Sequence, residues 1–293
     1  MVSRTDQPLT ARGALLWAAR QLQQHGIESA RWEAELITAH LLRVARDELY
    51  LHPHRVLTPL ESSQLQSLMA RRCRGEPLQY LLGYTEFFGC RLRVTPAVLI
   101  PRPETEELVE LLVRSYSHAP QRVLDLGTGS GAIAIALARA WPTSSCVAVD
   151  ISAEALALAR ENALQNSVDE RICFLQSDWF SHVSGEFDLI VSNPPYVRTG
   201  YLQRAPRELH YEPRVALDGG ADGLTAISRI IRESPRYLRP HGALYLEFAA
   251  DQGEHVRELL MHSKSFEEIE IMRDLANKER FARAVRSSEL CLS

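Results

Sequence analysis

The run Asn193-Pro194-Pro195-Tyr196 contains the groups needed to orient a planar nitrogen. The Asn193 side-chain oxygen and the Pro194 carbonyl are acceptors, so together they can receive both hydrogens of an NH2 group. The prolines stiffen the backbone and bring no competing N–H donor, and Tyr196 can pack on the planar group. Because the lone pair of an amide or aromatic amine is delocalised, such a nitrogen reacts only when it is held and polarised. The run therefore predicts a catalytic and substrate-binding site for methylation of such a nitrogen.

A glycine-rich turn, Gly127-Thr128-Gly129-Ser130-Gly131, lies between a predicted strand and a predicted helix. Glycine suits a sharp turn whose backbone approaches a ligand closely. Asp150 ends the next predicted strand about 20 residues further on, where an acid that binds a ribose is expected. The spacing also satisfies a dinucleotide fingerprint, and NAD and S-adenosylmethionine share the adenosine. By themselves these residues fit both ligands.

Two details favour S-adenosylmethionine as the cofactor. Asp125 lies in the strand just before the glycines, a position typical of methyltransferases, whose ligand has no pyrophosphate. A third predicted strand ends at Asp178-Trp179, where an acid can accept from the adenine amino group and an indole can cover the ring. We therefore predict that Asp125, the glycine turn, Asp150, Asp178-Trp179 and Asn193 bind S-adenosylmethionine.

The elements that must position these residues alternate from residue 122 onward. Strands are predicted over residues 122–126, 146–150, 171–176, 187–192 and 243–248, with helices between them near 131–141, 153–165, 222–238 and 251–262. This alternation is typical of an α/β fold with a parallel sheet. Residues 266–273 and 280–286 are joined by a link too short for a crossover helix, so the last strand should run antiparallel. We predict a class I methyltransferase, with a Rossmann-like sheet.

The amino-terminal part has a different character. Apolar residues recur at helical spacing over residues 1–75, and Thr58-Pro59-Leu60-Glu61 predicts a capped helix start. We interpret 1–75 as a small all-α domain for substrate recognition. Residues 76–99 contain two short β-prone runs around Gly89-Cys90, which predict a β-hairpin linker. Residues 100–293 then form the predicted methyltransferase domain.

Bulk properties exclude several classes of protein. The net charge is −4, and residues 1–75 hold ten Arg against seven acidic residues, a balance of only +3. We therefore expect no direct nucleic-acid binding. Five scattered cysteines without a CxxC pair, and His52-Pro53-His54 without companion ligands, predict no metal site. The longest apolar run, residues 132–138, is far shorter than the ~20 residues of a membrane helix. We expect no membrane association and a cytoplasmic location.

Most of the chain resembles one known family, the HemK/PrmC protein-(glutamine-N5) methyltransferases that modify peptide-chain release factors. The matching segments are residues 75–83 (GEPLQYLLG), 86–89 (EFFG), 100–109 (IPRPETEELV), 125–131 (DLGTGSG), Asp150, 193–196 (NPPY), 211–213 (YEP) and 216–220 (ALDGG). The segment 100–109 is the most specific, because a sister group that acts on a ribosomal protein differs there. Leu246-Glu247-Phe248-Ala249 departs from the family, which usually has an isoleucine and a glycine after the glutamate.

The resemblance implies that the substrate is the glutamine of a Gly-Gly-Gln loop in a release factor. It also implies that the glycine turn, Asp150 and Trp179 hold the cofactor, while residues 193–196 hold the glutamine amide. Arg102, within segment 100–109, is a candidate for binding the acceptor loop or a carboxylate. The alternative is a solvated residue before a helix.

Rival functions come from other classes. Residues 193–196 also suit methylation of a ribosomal-protein glutamine, or of an adenine or guanine amine in DNA or rRNA. A nucleic-acid enzyme would need a basic, aromatic-bearing recognition segment. A dinucleotide-dependent oxidoreductase is opposed by residues 193–196 and by the antiparallel last strand. A silent binding module is disfavoured because the acceptor set is intact.

Overall fold

A computed structural model describes residues 9–288. Cys291 and the ends of the two predicted domains, residues 1–8 and 289–293, lie outside the described residues. The chain divides into two compact units, residues 1–83 and 84–293. Among residues 9–288, no helix combines the length and the apolar character that crossing a bilayer requires.

The first unit is helical. Its helices are α1 (Ala11–Gln24), α2 (Ala30–Leu42), α3 (Glu48–Leu51), α4 (Pro59–Cys73) and α5 (Leu78–Leu82). The predicted capping box at the start of α4 is present, with Thr58 and Glu61 each accepting from the other's backbone N–H. Helix α5 lies inside the segment 76–99, where only a hairpin was predicted. It is a single turn whose Leu78 and Leu81 complete the core of this unit, a tertiary contact that local sequence does not reveal.

The predicted hairpin is present but belongs to the second unit. Strands β1 (Tyr84–Phe87) and β2 (Cys90–Arg93) pair antiparallel. Phe87, Cys90 and Leu92 are buried in the core of the second unit, so apolar packing attaches the hairpin to the catalytic fold. The boundary between the two units in the chain therefore lies between residues 83 and 84, within segment 76–99.

The rest of the second unit is an α/β sheet with helices. Its further helices are α6 (Pro103–Ser115), α7 (Ala132–Ala140), α8 (Ala153–Gln165), α9 (Thr199–Leu202), α10 (Thr225–Glu233) and α11 (Gly253–His262). Its further strands are β3 (Arg122–Leu126), β4 (Ser145–Asp150), β5 (Ile172–Gln176), β6 (Phe187–Ser192), β7 (Leu238–Glu247), β8 (Phe266–Arg273) and β9 (Glu279–Arg286).

The sheet has the order β5-β4-β3-β6-β7-β9-β8. Strands β3 to β7 pair in parallel, whereas β9 runs antiparallel to both of its neighbours, β7 and β8. The predicted fold class is confirmed, including the antiparallel last strand. Successive residues of β6, Leu189 and Ile190, enter two different hydrophobic clusters. The sheet is therefore buried on both faces, as a doubly wound fold requires.

Candidate active site

The predicted glycine turn joins β3 to α7 at the carboxyl end of the sheet. Gly127, Gly129 and Gly131 all have positive φ, between 55° and 85°. An L side chain rarely adopts this conformation, so the turn requires glycine. The Gly127 and Thr128 N–H groups donate to the Val149 carbonyl at 2.8 Å, which ties the turn to the end of β4. The backbone at Gly129 is open, since an added Cβ would meet nothing within 4 Å.

Asp125 lies beneath this turn and is fully buried. Its Oδ2 accepts from the Thr128 hydroxyl at 2.6 Å and from the Ala134 N–H at 3.2 Å. Its Oδ1 is buried without a hydrogen-bond partner. Burial raises the pKa of Asp125 to about 7, against the opposing effect of these donors. Asp125 therefore holds the turn through hydrogen bonds to Oδ2, while its Oδ1 accepts no hydrogen bond.

Asp150 ends β4, as predicted, and faces the turn. Its Oδ2 accepts from the Gly129 N–H and its Oδ1 from the Ser152 N–H, each at 2.9 Å. Burial raises the pKa of Asp150, and these backbone donors counter the effect. Asp150 is the only acid among the predicted binding residues that both holds the turn and lines the cavity beside it.

Asp178 and Trp179 follow β5. The Arg229 Nη1 of α10 donates to both Asp178 carboxylate oxygens, at 2.9 and 2.8 Å. The acid that we predicted for an adenine amino group is thus already paired with a cation. The half-buried Trp179 has φ 53° and lies near Gly127, whose added Cβ would meet the indole at 3.7 Å. The indole therefore walls the cavity next to the glycine turn.

A cavity of about 720 Å³ connects these groups. Of the predicted cofactor and substrate residues, it is lined by Gly127, Gly129, Asp150, Asp178, Trp179, Asn193 and Pro195. The other predicted residues are not among the lining residues: Asp125 behind the turn, Thr128, Ser130 and Gly131 within it, and Pro194, Tyr196 and Arg102 elsewhere. The volume is in the range of small-molecule sites, which are ~300–1,000 Å³.

Asn193 follows β6, which lies between β3 and β7. Ser192 is in register with Leu126 on one side and Leu246 on the other. Asn193 therefore emerges between the glycine turn and the end of β7, where a parallel sheet collects its ligands. The prolines behave differently from each other: Pro194 is buried, whereas Pro195 lines the cavity.

The Asn193 side chain is held by a chain of buried groups. Its Nδ2 donates to Thr105 Oγ1 at 2.8 Å, and Thr105 Oγ1 donates to Glu247 Oε2 at 2.8 Å. The Tyr196 hydroxyl donates to the other Glu247 oxygen at 3.0 Å. Thr105 is on the first turn of α6 and Glu247 ends β7. Three segments thus converge on Asn193 and Tyr196.

The segment 219–223 packs against the backbone of residues 195 and 196. An added Cβ on Gly219 would lie 2.7 Å from the Pro195 carbonyl oxygen and 2.8 Å from the Tyr196 Cα. Gln252 Nε2 donates to the Tyr196 carbonyl at 3.2 Å. The chain approaches so closely here that only glycine fits at 219.

Arg102, a predicted substrate residue, forms an ion pair with Glu212 at 2.5 Å. The Glu212 side chain is 1% exposed and its other oxygen accepts from the Ile100 N–H at 3.2 Å. Arg102 thereby joins the segment before α6 to the segment 211–213. Its role toward a substrate stays a prediction.

The prediction from sequence did not single out Thr105, Glu247, Arg229 or Gly219 as site residues. Glu247 carried a usable signal, because one carboxylate ends the otherwise apolar strand sequence Ala-Leu-Tyr-Leu-Glu of residues 243–247. Burial raises its pKa to about 7, countered by the Thr105 and Tyr196 hydroxyls and by Arg280. Arg229 gave no signal, because its partner Asp178 is 51 residues away.

Known protein families match both units. The model of the PrmC N-terminal domain matches residues 13–83, and that of the methyltransferase small domain matches residues 104–206. Among solved structures, a methyltransferase from Pyrococcus furiosus has a TM-score of 0.53 at 16% identity, covering 78% of this chain and 100% of that one. The T. thermophilus 16S rRNA N2 G1207 methyltransferase RsmC, in complex with AdoMet and guanosine, has a TM-score of 0.51 at 21% identity, covering 69% and 49%. At these identities the likeness shows the fold alone.

Curated relatives are similar over nearly the whole chain. Release factor glutamine methyltransferase of Nitratidesulfovibrio vulgaris is 40% identical over 282 residues, covering 95% of this chain and 96% of the relative. That of Moorella thermoacetica is 38% identical, covering 96% and 100%. That of Geobacter sulfurreducens is 43% identical, covering 86% and 89%. This chain therefore belongs to the family of release factor glutamine methyltransferases.

Proposed function

We propose that this protein transfers a methyl group from S-adenosylmethionine to the side-chain amide nitrogen of the glutamine in the Gly-Gly-Gln motif of release factors. The observation that carries the proposal is the placement of Asn193, between the glycine turn and Glu247, with its NH2 already bound by Thr105. That contact leaves the Asn193 oxygen to accept from a substrate amide. The names of the relatives supply the substrate class.

The residues around the turn fit S-adenosylmethionine. Asp125 does not line the cavity, and it holds the turn through the Thr128 hydroxyl and the Ala134 N–H, so we assign it a supporting role. Gly127 and Gly129 present backbone without side chains to the cavity, and Asp150 offers a carboxylate beside them. When bound, S-adenosylmethionine supplies a methyl group made electrophilic by its sulfonium. We assign its ribose to Asp150 and the face of its adenine to Trp179.

The chain's own residues then hold the acceptor. The Asn193 oxygen and the Pro194 carbonyl accept the two amide hydrogens, which favours the positive charge that develops on the nitrogen. Tyr196 supports this arrangement through the hydrogen bond from its hydroxyl to Glu247. With S-adenosylmethionine bound, the amide nitrogen would gain the methyl group as the S–C bond breaks, and it would release one of its protons to water. Fixed geometry supplies much of the acceleration, because the lone pair must point along the S–C bond.

The helical unit is proposed to recognise the release factor. Several large apolar side chains on it are about half exposed or more: Leu16, Trp32, Tyr50, Leu51, Val56 and Leu60. Two of them, Trp32 and Tyr50, are aromatic, and aromatic side chains are enriched at protein interfaces. The positive balance of this unit adds a charged component to such a surface.

Incorporation of labelled methyl groups tests the substrate class. The protein is incubated with labelled S-adenosylmethionine and, in separate reactions, with a release factor, the same factor with its Gly-Gly-Gln glutamine replaced by alanine, ribosomal proteins, rRNA and DNA. We expect label in the intact release factor alone. Equal label in the glutamine-to-alanine factor, or label in rRNA or DNA in place of the release factor, would contradict the proposal.

A further inference from the structure

We propose that Thr105 and Glu247 are positioning residues that fix which atom of the Asn193 side-chain amide faces the acceptor nitrogen. The inference rests on the proposed function, since it assigns the means by which Asn193 is oriented for that reaction. An asparagine amide has similar shape in its two flipped orientations, and only one of them presents an oxygen. Something in the structure must therefore select between them.

The selection begins at the buried carboxylate. Glu247 is fully buried and Thr105 is 4% exposed, so water does not compete for their hydrogen bonds. An ionised carboxylate only accepts hydrogen bonds. Both neighbours must then donate to Glu247, as the Thr105 and Tyr196 hydroxyls do. Burial raises the pKa of Tyr196 above its usual value, so its hydroxyl keeps the proton that it donates.

The direction of these hydrogen bonds determines the orientation of the Asn193 side-chain amide. A threonine hydroxyl has one hydrogen, and Thr105 uses it on Glu247. Toward Asn193 it can only accept, so the Asn193 atom beside it must be the NH2 nitrogen. The Asn193 oxygen is thereby turned away from Thr105 and is left for the cavity that Asn193 lines. The carboxylate thus selects the productive amide orientation through one intervening hydroxyl.

A neutral group at position 247 would remove this selection. A protonated glutamate can donate to Thr105, which frees the threonine hydrogen to donate to the Asn193 oxygen. Asn193 would then present its NH2 to the substrate NH2, and two donors would face each other. The acceptor nitrogen would lose a partner that stabilises its charge in the transition state. Methyl transfer should therefore require Glu247 in its ionised form.

The groups around Glu247 bear on its ionisation. Besides Thr105 and Tyr196, Arg280 of β9 lowers its pKa and Glu104 of α6 raises it, while burial is the largest effect. The resulting pKa of about 7 lies well above the usual range of a glutamate. The neutral form thus becomes populated as the pH falls through neutrality. We therefore expect methyl-transfer activity to fall as the pH decreases below neutrality.

Three variants separate this role from simple packing. Thr105→Val keeps the shape but removes the hydroxyl, Thr105→Ser keeps the hydroxyl, and Glu247→Gln keeps the shape but removes the charge. The matched control is Ser234→Ala, which removes a fully buried hydroxyl without a hydrogen-bond partner at the end of α10. The measurements are cofactor affinity by calorimetry and the single-turnover rate on a release factor at saturating cofactor.

We expect Thr105→Val and Glu247→Gln to bind cofactor like the wild type and to transfer the methyl group ~10- to 100-fold more slowly, as misorientation of a reacting pair does. Thr105→Ser should recover most of the rate, and Ser234→Ala should match the wild type. The wild-type rate should fall below about pH 7, and that acid limb should be much weaker in Glu247→Gln, which retains only the titration of Asp125.

Wild-type rates in both Thr105→Val and Glu247→Gln would overturn the inference, and so would an unchanged acid limb in Glu247→Gln. If Thr105→Val does not fold, the pH profile of Glu247→Gln decides alone. A wild-type protein that methylates no release factor would instead contradict the proposed function. The two failures are therefore distinguishable.

Discussion

At the residue scale, Asp150 has two roles, and substitution of this one residue tests its part in cofactor binding. It accepts from the Gly129 and Ser152 N–H groups, and it lines the cavity where the ribose is proposed to bind. We expect Asp150→Ala to weaken S-adenosylmethionine binding by ~1–3 kcal/mol, the scale of losing hydrogen bonds to a charged acceptor. Isothermal calorimetry measures this directly.

The control for this change is Asp169→Ala, which removes an exposed acid just before β5, at the amino end of that strand. It should bind cofactor like the wild type. Equal affinities of Asp150→Ala and the wild type for S-adenosylmethionine would show that Asp150 does not bind the cofactor.

Local motifs predicted Asn193, Asp150 and the glycine turn as site residues, and the structure brings Asn193, Asp150, Gly127 and Gly129 to one cavity. The contact between Thr105 and Glu247 could not be found in this way. They are 142 residues apart, and their contact depends on the register of β7 against β6 and on where α6 begins. Asp178 lines the cavity, and its pairing with Arg229 depends on how α10 packs, which the sequence does not reveal.

At the scale of elements, the backbone of segment 219–223 holds residues 195 and 196 in place. We expect Gly219→Ala to displace them, since the new Cβ would lie 2.7 Å from the Pro195 carbonyl oxygen. Turnover should fall by about tenfold or more, because small displacements of a positioned acceptor are costly. The comparison variant is Gly200→Ala in α9, where an added Cβ meets nothing within 4 Å. Similar single-turnover rates for the two variants would show that this packing does not position the acceptor.

The ion pair of Arg102 and Glu212 joins two segments whose contact was not predicted from the sequence. Arg102→Ala would leave the buried Glu212 without its cation. We expect the free energy of unfolding to fall by ~1–3 kcal/mol, as when a buried polar group loses its partner. Urea denaturation measures it, and the double variant with Glu212→Gln should lose less than the sum of the single variants. An unchanged stability with a weaker affinity for release factor would instead favour the predicted substrate role of Arg102.

Element types were largely predictable from hydrophobic periodicity, whereas element partners were not. The alternation after residue 122 indicated a parallel sheet, and the short link before β9 indicated its antiparallel direction. Strand β9 pairs with β7 on one edge and with β8 on the other. This strand order depends on tertiary packing, so the sequence did not predict it. Strand β7 also begins at Leu238, earlier than predicted, because Pro240 and Gly242 obscured its first residues.

At the scale of the whole molecule, recognition and chemistry are assigned to different units. Trp32 on α2 is 48% exposed, and a large aromatic at an interface often contributes strongly to binding. We expect Trp32→Ala to raise the KM for release factor about tenfold, with cofactor affinity and turnover on a short Gly-Gly-Gln peptide unchanged.

Leu275→Ala offers the matching change in the second unit, since Leu275 is 87% exposed in the turn between β8 and β9. Steady-state kinetics on the intact release factor compare the two variants. If both leave the KM at the wild-type value, Trp32 has no part in recognition.

The central claim is that Asn193 orients a glutamine amide for methylation. The most direct test is a single-turnover reaction of the wild type and Asn193→Ala with a release factor, at saturating S-adenosylmethionine, followed by peptide mass spectrometry. We expect one added methyl group on the Gly-Gly-Gln glutamine with the wild type. With Asn193→Ala we expect a rate lower by ~10²-fold or more at unchanged cofactor affinity, as loss of a transition-state partner produces. A methyl group on another residue, or a wild-type rate in Asn193→Ala, would show that Asn193 does not have this role.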